Sequence, residues 1–317
     1  METISIDHPA SGELLVRQTA IGVNFHDCYV RSGLYSTMAL PGVPGLEAVG
    51  VIEETGPGVR GWTIGDRVGW MSPSYGGYAS QRILAAGLAL RLPDSLGDAQ
   101  AAASLMKAMT VSVLVGRVHA VGPRQRVLVH AAAGGVGQLL CNWCNHLGAE
   151  VIATVGNTAK AHIASSAGAH IVIDYTTENF VERVRAVTGG EGVDVVYDGI
   201  GRDTFAGSLD CLAYEGTLVS YGQASGPVAP FAPSALAARS LRVARPVVFH
   251  YARTEDRLQA LARDAFDAFE AGVLRPLEPL RLPLADASRA HRLLESRQSP
   301  GGIVLVPSDA ALTQSGS

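Results

Sequence analysis

One segment of this 317-residue chain limits the choice of fold more than any other, because an apolar run, a glycine-rich turn and a helix-forming stretch follow one another directly. The segment covers residues 127–144 and reads VLVHAAAGGVGQLLCNWC. Gly134 and Gly137 occupy the second and third glycine places of the Gly-x-Gly-x-x-Gly pattern, and Ala132 occupies the first. In that pattern the backbone approaches a pyrophosphate, and the helix N-terminus offers it N–H groups. We predict a dinucleotide site at this turn; the alternative is a tight strand–helix turn that binds nothing.

The residues around this segment repeat the order of strand and helix. Strands are predicted at 126–130, 151–155, 171–174, 193–197, 216–221 and 243–249, and helices at 135–147, 159–167, 178–187 and 204–212. Such alternation is typical of a parallel, doubly wound sheet. The fold class predicted for this part of the chain is therefore α/β.

Both ends of the chain have a different pattern of predicted elements. Short strands separated by Gly/Pro clusters are predicted at 13–20, 47–54, 66–70, 77–83 and 302–307, with helices at 98–118 and 257–271. This spacing is typical of a β lobe. We expect residues 106–245 to form the α/β domain, inserted into a lobe made of residues 1–105 and 246–317. The tail 308–317 is expected to be disordered.

Composition and charge exclude several functions. The chain is 47% hydrophobic and 17% charged, which indicates buried cores rather than disorder. Its formal net charge is −4, so we expect neither a nucleic-acid nor a membrane partner. The two lysines are Lys107 and Lys160, and neither follows a glycine as a Walker P-loop requires.

The four cysteines are too few and too scattered for a disulfide framework, which favours a reducing compartment. The N-terminus has no basic segment followed by an apolar run, and no apolar stretch reaches the roughly 20 residues that span a bilayer. We expect a soluble, cytoplasmic protein.

The end of the second α/β strand indicates which dinucleotide binds. An acidic residue about 20 positions beyond the glycine pattern hydrogen-bonds the ribose of NAD. Residues 155–160 read VGNTAK and contain no acid. Lys160 supplies a cation that could pair with a 2′-phosphate, so the sequence favours NADPH. The alternative is that Lys160 is an ordinary exposed helix residue.

The whole set of motifs closely resembles the zinc-free quinone oxidoreductases of the medium-chain dehydrogenase/reductase superfamily, the group that includes ζ-crystallin. The resemblance covers nearly the whole chain and is carried by VNFHDCYVRSGLY (23–35), PGLEAVGVI (44–52), GDRV (65–68), AAASLMKAMTV (101–111), HAAAGGVG (130–137), GAHIVIDY (168–175), VDVVYDGIGRDTF (193–205), SLDCL (208–212) and AHRLLESR (290–297). It implies a GroES-like catalytic lobe, a Rossmann domain that binds NADPH, an active site in the cleft between them, and a homodimer. The implied reaction is direct hydride transfer from the nicotinamide to a quinone.

The resemblance also implies site residues. In the first lobe Asn24, Tyr29 and Tyr35 would face the nicotinamide and the substrate. Either tyrosine could donate a hydrogen bond to the acceptor oxygen, although packing under the loop is the alternative for each. The implied cofactor-binding residues are Thr110 near the cofactor, Gly134, Gly135, Val136 and Gly137 at the pyrophosphate, Gly156, Asn157, Lys160 and Tyr175 around the 2′-phosphate, and Gly222, Gln223, Val248, Phe249 and His250 at the nicotinamide.

No metal is expected. The place of the Gly-His-Glu motif of zinc alcohol dehydrogenases reads Gly45-Leu46-Glu47, and no cysteine occurs between Cys28 and Cys141. The pair Cys141-x-x-Cys144 falls inside the dinucleotide helix and is expected to pack there.

Two departures from the family pattern bear on function. Relatives begin with an additional N-terminal β-hairpin, so the first lobe of this chain is expected to have an exposed edge or an altered cleft wall. Gly199 stands where a serine is often found, which weakens any case for a side-chain contact there. Two alternatives stay open: an NADPH-dependent reductase of enone (alkene) double bonds, and a non-catalytic NADPH-binding protein.

Overall fold

The computed structural model describes residues 2–296 and 301–308, so most of the tail predicted to be disordered lies outside the described residues. The strands are β1 Glu13–Val23, β2 Glu47–Thr55, β3 Arg67–Met71, β4 Gln81–Ala85, β5 Leu90–Arg91, β6 Arg126–Val129, β7 Glu150–Val155, β8 Ile171–Asp174, β9 Val193–Asp198, β10 Leu212–Ser220, β11 Arg242–Ala244, β12 Leu280–Pro283 and β13 Ile303–Val306. The α-helices are α1 Phe25–Arg31, α2 Asp98–Val113, α3 Gly135–His146, α4 Thr158–Ser166, α5 Phe180–Val187, α6 Phe205–Cys211, α7 Val248–Tyr251, α8 Glu255–Glu270 and α9 Ala287–Glu295.

The chain divides into two compact units. The first comprises residues 1–106, 252–270 and 276–317. Its sheet has the strand order β12-β13-β1-β2-β3-β5, and β4 pairs with β1. Apolar side chains that alternate along the strands, such as Leu14 and Val16 on β1, pack with the fully buried Trp70 into one core.

The second unit comprises residues 107–251 and 271–275. Its sheet has the order β11-β10-β9-β6-β7-β8, and every pairing in it is parallel. The strand order reverses between β6 and β9, and ligands of such sheets bind beyond the carboxyl ends of the strands at this point. The turn after β6 therefore lies where a dinucleotide is expected. The predicted fold class, a doubly wound α/β sheet together with a β lobe, is confirmed.

The structure corrects several predicted boundaries. The strand predicted at 243–249 ends at Ala244, and residues 248–251 form α7 instead. Pro246 explains the early end, since proline has no N–H to donate to a sheet ladder. Residues 246–251 and 271–275 lie in the second compact unit, whereas the predicted α/β domain covers residues 106–245.

A second correction concerns the strand predicted at 77–83, which begins only at Gln81. The residues before it bond to the segment 43–46 instead, through Gly77 N to Gly45 O at 3.1 Å and Tyr78 N to Pro44 O at 2.8 Å. The preceding turn is thereby fixed against that segment.

One helical stretch, Asp98–Val118, is long and apolar enough to cross a membrane by length and composition alone. It spans 21 residues, and its most apolar 18-residue window has a mean hydropathy of 1.4, so the expectation that no stretch is apolar enough over such a length was wrong. Its most apolar window is 78% buried inside the protein, as in the core helix of a globular domain. The last five residues, Leu114–Val118, continue α2 as a π-helical turn.

Candidate functional site

The glycine turn between β6 and α3 has the shape of a phosphate cradle. Ala131 adopts a left-handed conformation with φ of 51°, and Gly134 N donates to Ala131 O at 2.8 Å, which closes the turn. A Cβ atom at Gly137 would lie 2.3 Å from Ala131 O, so only glycine lets the helix pack this closely on the turn. The first N–H groups of α3 have no acceptor within the helix, which is the donor set that a pyrophosphate requires.

A second group of predicted residues meets at the carboxyl ends of β7 and β8. A Cβ atom at Gly156 would lie 2.4 Å from the Tyr175 hydroxyl, so the phenol covers the backbone at the end of β7. Asn157 caps α4 by accepting a hydrogen bond from Lys160 N at 2.9 Å. The group offers a cation, a phenol and a helix N-terminus, and residues 155–160 contain no carboxylate. This donor set fits a 2′-phosphate.

Thr110, predicted to lie near the cofactor, is half-buried on α2. The residues predicted at the nicotinamide lie at two places in the second unit: Gly222 and Gln223 follow β10, and Val248, Phe249 and His250 lie on α7 rather than on the predicted strand. All the predicted cofactor-binding residues therefore lie in the second unit.

The structure gives a physical reason for the glycine at residue 199. A Cβ atom at Gly199 would lie 2.8 Å from Cζ of Tyr221. A Cβ atom at Gly222 would lie 2.6 Å from Gly199 O. The Tyr221 ring therefore occupies the space that a side chain at residue 199 would need, and the backbone of Gly199 in turn leaves no room for one at residue 222.

A buried polar network, which no sequence motif predicts, lies beneath the glycine turn. Ser208 Oγ donates to Asp198 Oδ2 at 3.1 Å and lies 3.0 Å from His130 Nε2. Because the single hydroxyl proton of Ser208 goes to Asp198, its oxygen accepts the proton of Nε2. His130 Nδ1 then accepts from Thr154 Oγ1 at 2.9 Å. Burial lowers the pKa of His130, which keeps the imidazole neutral as this arrangement requires.

Asn24, the first catalytic candidate, is held by two carboxylates of the first unit. Asn24 Nδ2 donates to Glu47 Oε1 at 2.8 Å, and Asn24 N donates to Asp27 Oδ2 at 2.8 Å. Glu47 Oε2 accepts from Met106 N at 2.7 Å. Glu47 occupies the glutamate position of the Gly-His-Glu motif and is fully buried. Its carboxylate holds the side chain of Asn24 and the backbone of α2 at Met106.

Tyr29 and Tyr35 pack edge to face with ring centroids 5.1 Å apart, and Tyr35 N donates to Tyr29 O at 3.1 Å. His26 contacts Tyr35 edge to face at 5.2 Å and lies 6.0 Å from the ring of Tyr75. We call these four residues, His26, Tyr29, Tyr35 and Tyr75, the aromatic cluster. The family resemblance implies Tyr29 and Tyr35 as site residues, whereas no sequence pattern indicates His26 or Tyr75.

Within residues 2–296 and 301–308, no group of three or more His, Cys, Asp and Glu side chains could hold a metal ion. Cys141 and Cys144 are both fully buried on α3.

The cysteines should be chemically inert in the folded protein. Burial raises the pKa of Cys28, Cys141 and Cys211 to about 12 in each case, and it raises that of Cys144 further. Since the thiolate is the reactive form, we expect a thiol-specific aromatic disulfide reagent to label the native protein very slowly. Unfolding in denaturant should expose all four thiols to rapid labelling. A thiol that reacts rapidly in the native state would contradict this expectation.

Comparison with known proteins agrees with this geometry. Residues 10–94 match the family described as alcohol dehydrogenase GroES-like domain, and residues 135–263 match the family described as zinc-binding dehydrogenase. A quinone oxidoreductase of Salmonella typhimurium is 44% identical over 302 residues, which cover 94% of this chain and 92% of the relative. A 2-haloacrylate reductase of a Burkholderia species is 42% identical over 313 residues, covering 96% and 94% of the two chains.

Among solved structures, the quinone oxidoreductase of Escherichia coli complexed with NADPH superposes with a TM-score of 0.92. Its sequence identity is 41%, and the superposition covers 96% of this chain and 95% of the other. These likenesses extend over both units and nearly the full length. The chain therefore belongs to the quinone oxidoreductases of the medium-chain dehydrogenase/reductase superfamily.

Proposed function

We propose that this chain is an NADPH-dependent quinone reductase that transfers a hydride directly from the nicotinamide to a quinone. The observation that carries the proposal is a pair of places in the second unit whose donor groups suit an anion: the glycine turn at residues 134–137 and the group of Gly156, Asn157, Lys160 and Tyr175. The family relationship supports the same cofactor, since the related Escherichia coli enzyme was solved with NADPH.

The choice of a quinone as acceptor follows from the side chains that replace a metal site. Residues 45–47 lack the histidine of the Gly-His-Glu motif, so the first unit offers hydrogen bonds and aromatic rings in its place. A quinone accepts hydride readily because the negative charge spreads through the ring, and proximity and hydrogen bonds then suffice. NADPH, when bound, supplies the hydride. We infer that Asn24, Tyr29 and Tyr35 orient the acceptor and that the second unit holds the cofactor.

The test is the loss of NADPH absorbance with a panel of quinones and enones. We expect turnover with quinones, and a higher kcat/KM for quinones than for enones. Tight NADPH binding without turnover of any acceptor would contradict both reductase functions, and a non-catalytic NADPH-binding protein would be the remaining alternative.

A second candidate function, reduction of enone (alkene) double bonds, is favoured by one observation. The 2-haloacrylate reductase that is 42% identical to this chain is named for a conjugated alkene. An enone also accepts hydride to give a delocalised anion, so the same side chains could serve both reactions. A higher kcat/KM for enones than for quinones in the same panel would favour this candidate.

Replacing Lys160 with alanine should weaken the binding of NADPH but not that of NADH. The side chain is half-buried at the third position of α4, and the cap bond that Asn157 makes goes to its backbone N, so the substitution leaves the helix start intact. Loss of one cation from a phosphate site should raise the KM for NADPH by about tenfold. NADH has no 2′-phosphate, so its KM should hardly change.

The matched control is Lys160→Arg, which keeps the charge and should retain most of the NADPH preference. A change of less than about twofold in the NADPH KM of Lys160→Ala would show that this lysine has no role in cofactor choice.

We further infer that the protein is a soluble, cytoplasmic homodimer. Among the residues that the structure describes, the strand β11 pairs with β10 alone and so forms an edge of the parallel sheet, and such an edge is a surface on which a second copy can dock. Light scattering in solution tests this proposal, and a monomer at micromolar concentration would contradict it.

A further inference from the structure

A chain of three polar side chains leads from the surface of the first unit into the aromatic cluster. Thr37 is exposed, and its Oγ1 lies 2.5 Å from the hydroxyl of Tyr75. The same Tyr75 hydroxyl lies 3.1 Å from Nε2 of His26. One phenol therefore links an exposed hydroxyl to a half-buried imidazole.

The backbone holds Tyr75 in a conformation that a tyrosine rarely adopts. Its φ is +60°, in the left-handed region, although the residue is only 6% exposed. The turn around it is fixed because Ser72 N donates to Leu46 O at 2.8 Å and Gly76 N donates to Val43 O at 2.9 Å. Unfavourable backbone conformations that the surroundings enforce are found preferentially at functional sites. Here the enforced turn directs the Tyr75 hydroxyl to His26 and Thr37.

The hydrogen bonds of the three side chains can run in one direction. Burial lowers the pKa of His26, so the imidazole is neutral at neutral pH, with one donor and one acceptor nitrogen. If Thr37 donates to Tyr75 and Tyr75 donates to His26 Nε2, the imidazole proton resides on Nδ1. Tyr35, packed edge to face against His26, restrains the plane of the ring.

We propose that Thr37, Tyr75 and His26 form a proton relay that carries a proton from solvent to the oxygen of the reduced acceptor. This inference rests on the proposed function. The added hydride reduces the quinone by two electrons and leaves a negative charge on one oxygen. That oxygen takes the proton from His26 Nδ1, Nε2 takes the Tyr75 proton, Tyr75 takes the Thr37 proton, and Thr37 takes a proton from water. The sum is one hydride and one proton added to the quinone, which gives the hydroquinone.

The relay makes His26 a catalytic residue and Tyr75 and Thr37 its proton source. A neutral imidazole suits this role, because each proton that leaves Nδ1 is matched by one that arrives at Nε2. The half-buried imidazole never has to hold two protons.

The test uses Tyr75→Phe, which removes the hydroxyl and keeps the ring, with a series of quinones of increasing electron demand. The reduced anion of an electron-rich quinone is strongly basic and needs the proton, whereas that of a tetrahalogenated benzoquinone is stable without it. We expect kcat to fall by at least about tenfold with the electron-rich acceptor and by less than about twofold with the electron-poor one. The solvent deuterium isotope effect of the unaltered protein should decrease in the variant.

The matched control is Tyr214→Phe, the same substitution at a tyrosine that is 76% exposed in the second unit, which should change kcat with neither acceptor. Thr37→Val interrupts the relay at its exposed end and should show the same dependence on the acceptor if Tyr75→Phe fails to fold. An equal loss with every quinone would overturn the relay and leave the quinone reductase proposal standing. Absence of quinone turnover in the unaltered protein would overturn both.

Discussion

Gly137→Ala is expected to abolish tight NADPH binding and to destabilise the second unit. The new Cβ atom would lie 2.3 Å from Ala131 O and 2.7 Å from Ala132 Cα, and both are backbone atoms that cannot turn aside. Helix α3 would have to move away from the glycine turn, and its first N–H groups would move with it. Overpacking of this kind costs about 1–3 kcal/mol, so the melting temperature should fall by roughly 5 °C. The Kd for NADPH should rise at least about tenfold, measured by calorimetry or fluorescence.

Two further glycine substitutions separate the effect on binding from the effect on folding. A Cβ atom at Gly134 would meet only Ala131 O, at 3.2 Å, so Gly134→Ala should hardly change stability and still weaken NADPH by obstructing the pyrophosphate. A Cβ atom at Gly116 would meet nothing within 4 Å, and Gly116→Ala should change neither property. Normal NADPH affinity in Gly137→Ala would mean that the cofactor does not bind at this turn.

The sequence was sufficient to predict the parallel sheet and the glycine turn because both depend on residues close together in the chain. The apolar run 127–129, the glycine spacing and the following helix form one continuous segment, and each part favours the same local structure. The end of β11 was predicted incorrectly, although the residue that ends the strand, Pro246, is also local. Pro246 lies within an otherwise apolar run, and the predicted strand was continued through it although a proline within such a run argues against a strand.

The polar networks could not be predicted, because their members are distant in sequence and meet only through the topology. His130 and Ser208 are 78 residues apart, and the parallel pairing of β6 with β9 places the end of β6 beside the elements that follow β9. The contact of His26 with Tyr75 likewise depends on a turn whose conformation no sequence pattern indicated. In the sequence alone, such side chains cannot be distinguished from ordinary core residues, because the strand pairing that brings them together is not known.

Asp198→Ala should cause a large loss of stability in the second unit. The buried carboxylate accepts hydrogen bonds from Ile200 N at 2.7 Å, Gly201 N at 3.1 Å, Thr204 Oγ1 at 2.8 Å and Ser208 Oγ at 3.1 Å. Removing it leaves several buried donors without their acceptor, and each such donor costs about 1–3 kcal/mol. We expect the free energy of unfolding to fall by about 3 kcal/mol or more, measured by denaturant titration followed by circular dichroism.

The control is Asp203→Ala, the same substitution at an exposed carboxylate whose ion pair with Arg202 spans 3.2 Å at the surface. Exposed pairs contribute at most about 1 kcal/mol, so this variant should stay close to the unaltered protein. Asp198→Asn should fall between the two, since the amide keeps one acceptor oxygen and turns its NH₂ group towards donors. Asp198→Ala should also weaken NADPH binding, because Ser208 connects Asp198 to His130, the residue directly before the glycine turn. Equal stabilities for Asp198→Ala and Asp203→Ala would refute the assignment of Asp198 as the anchor of this network.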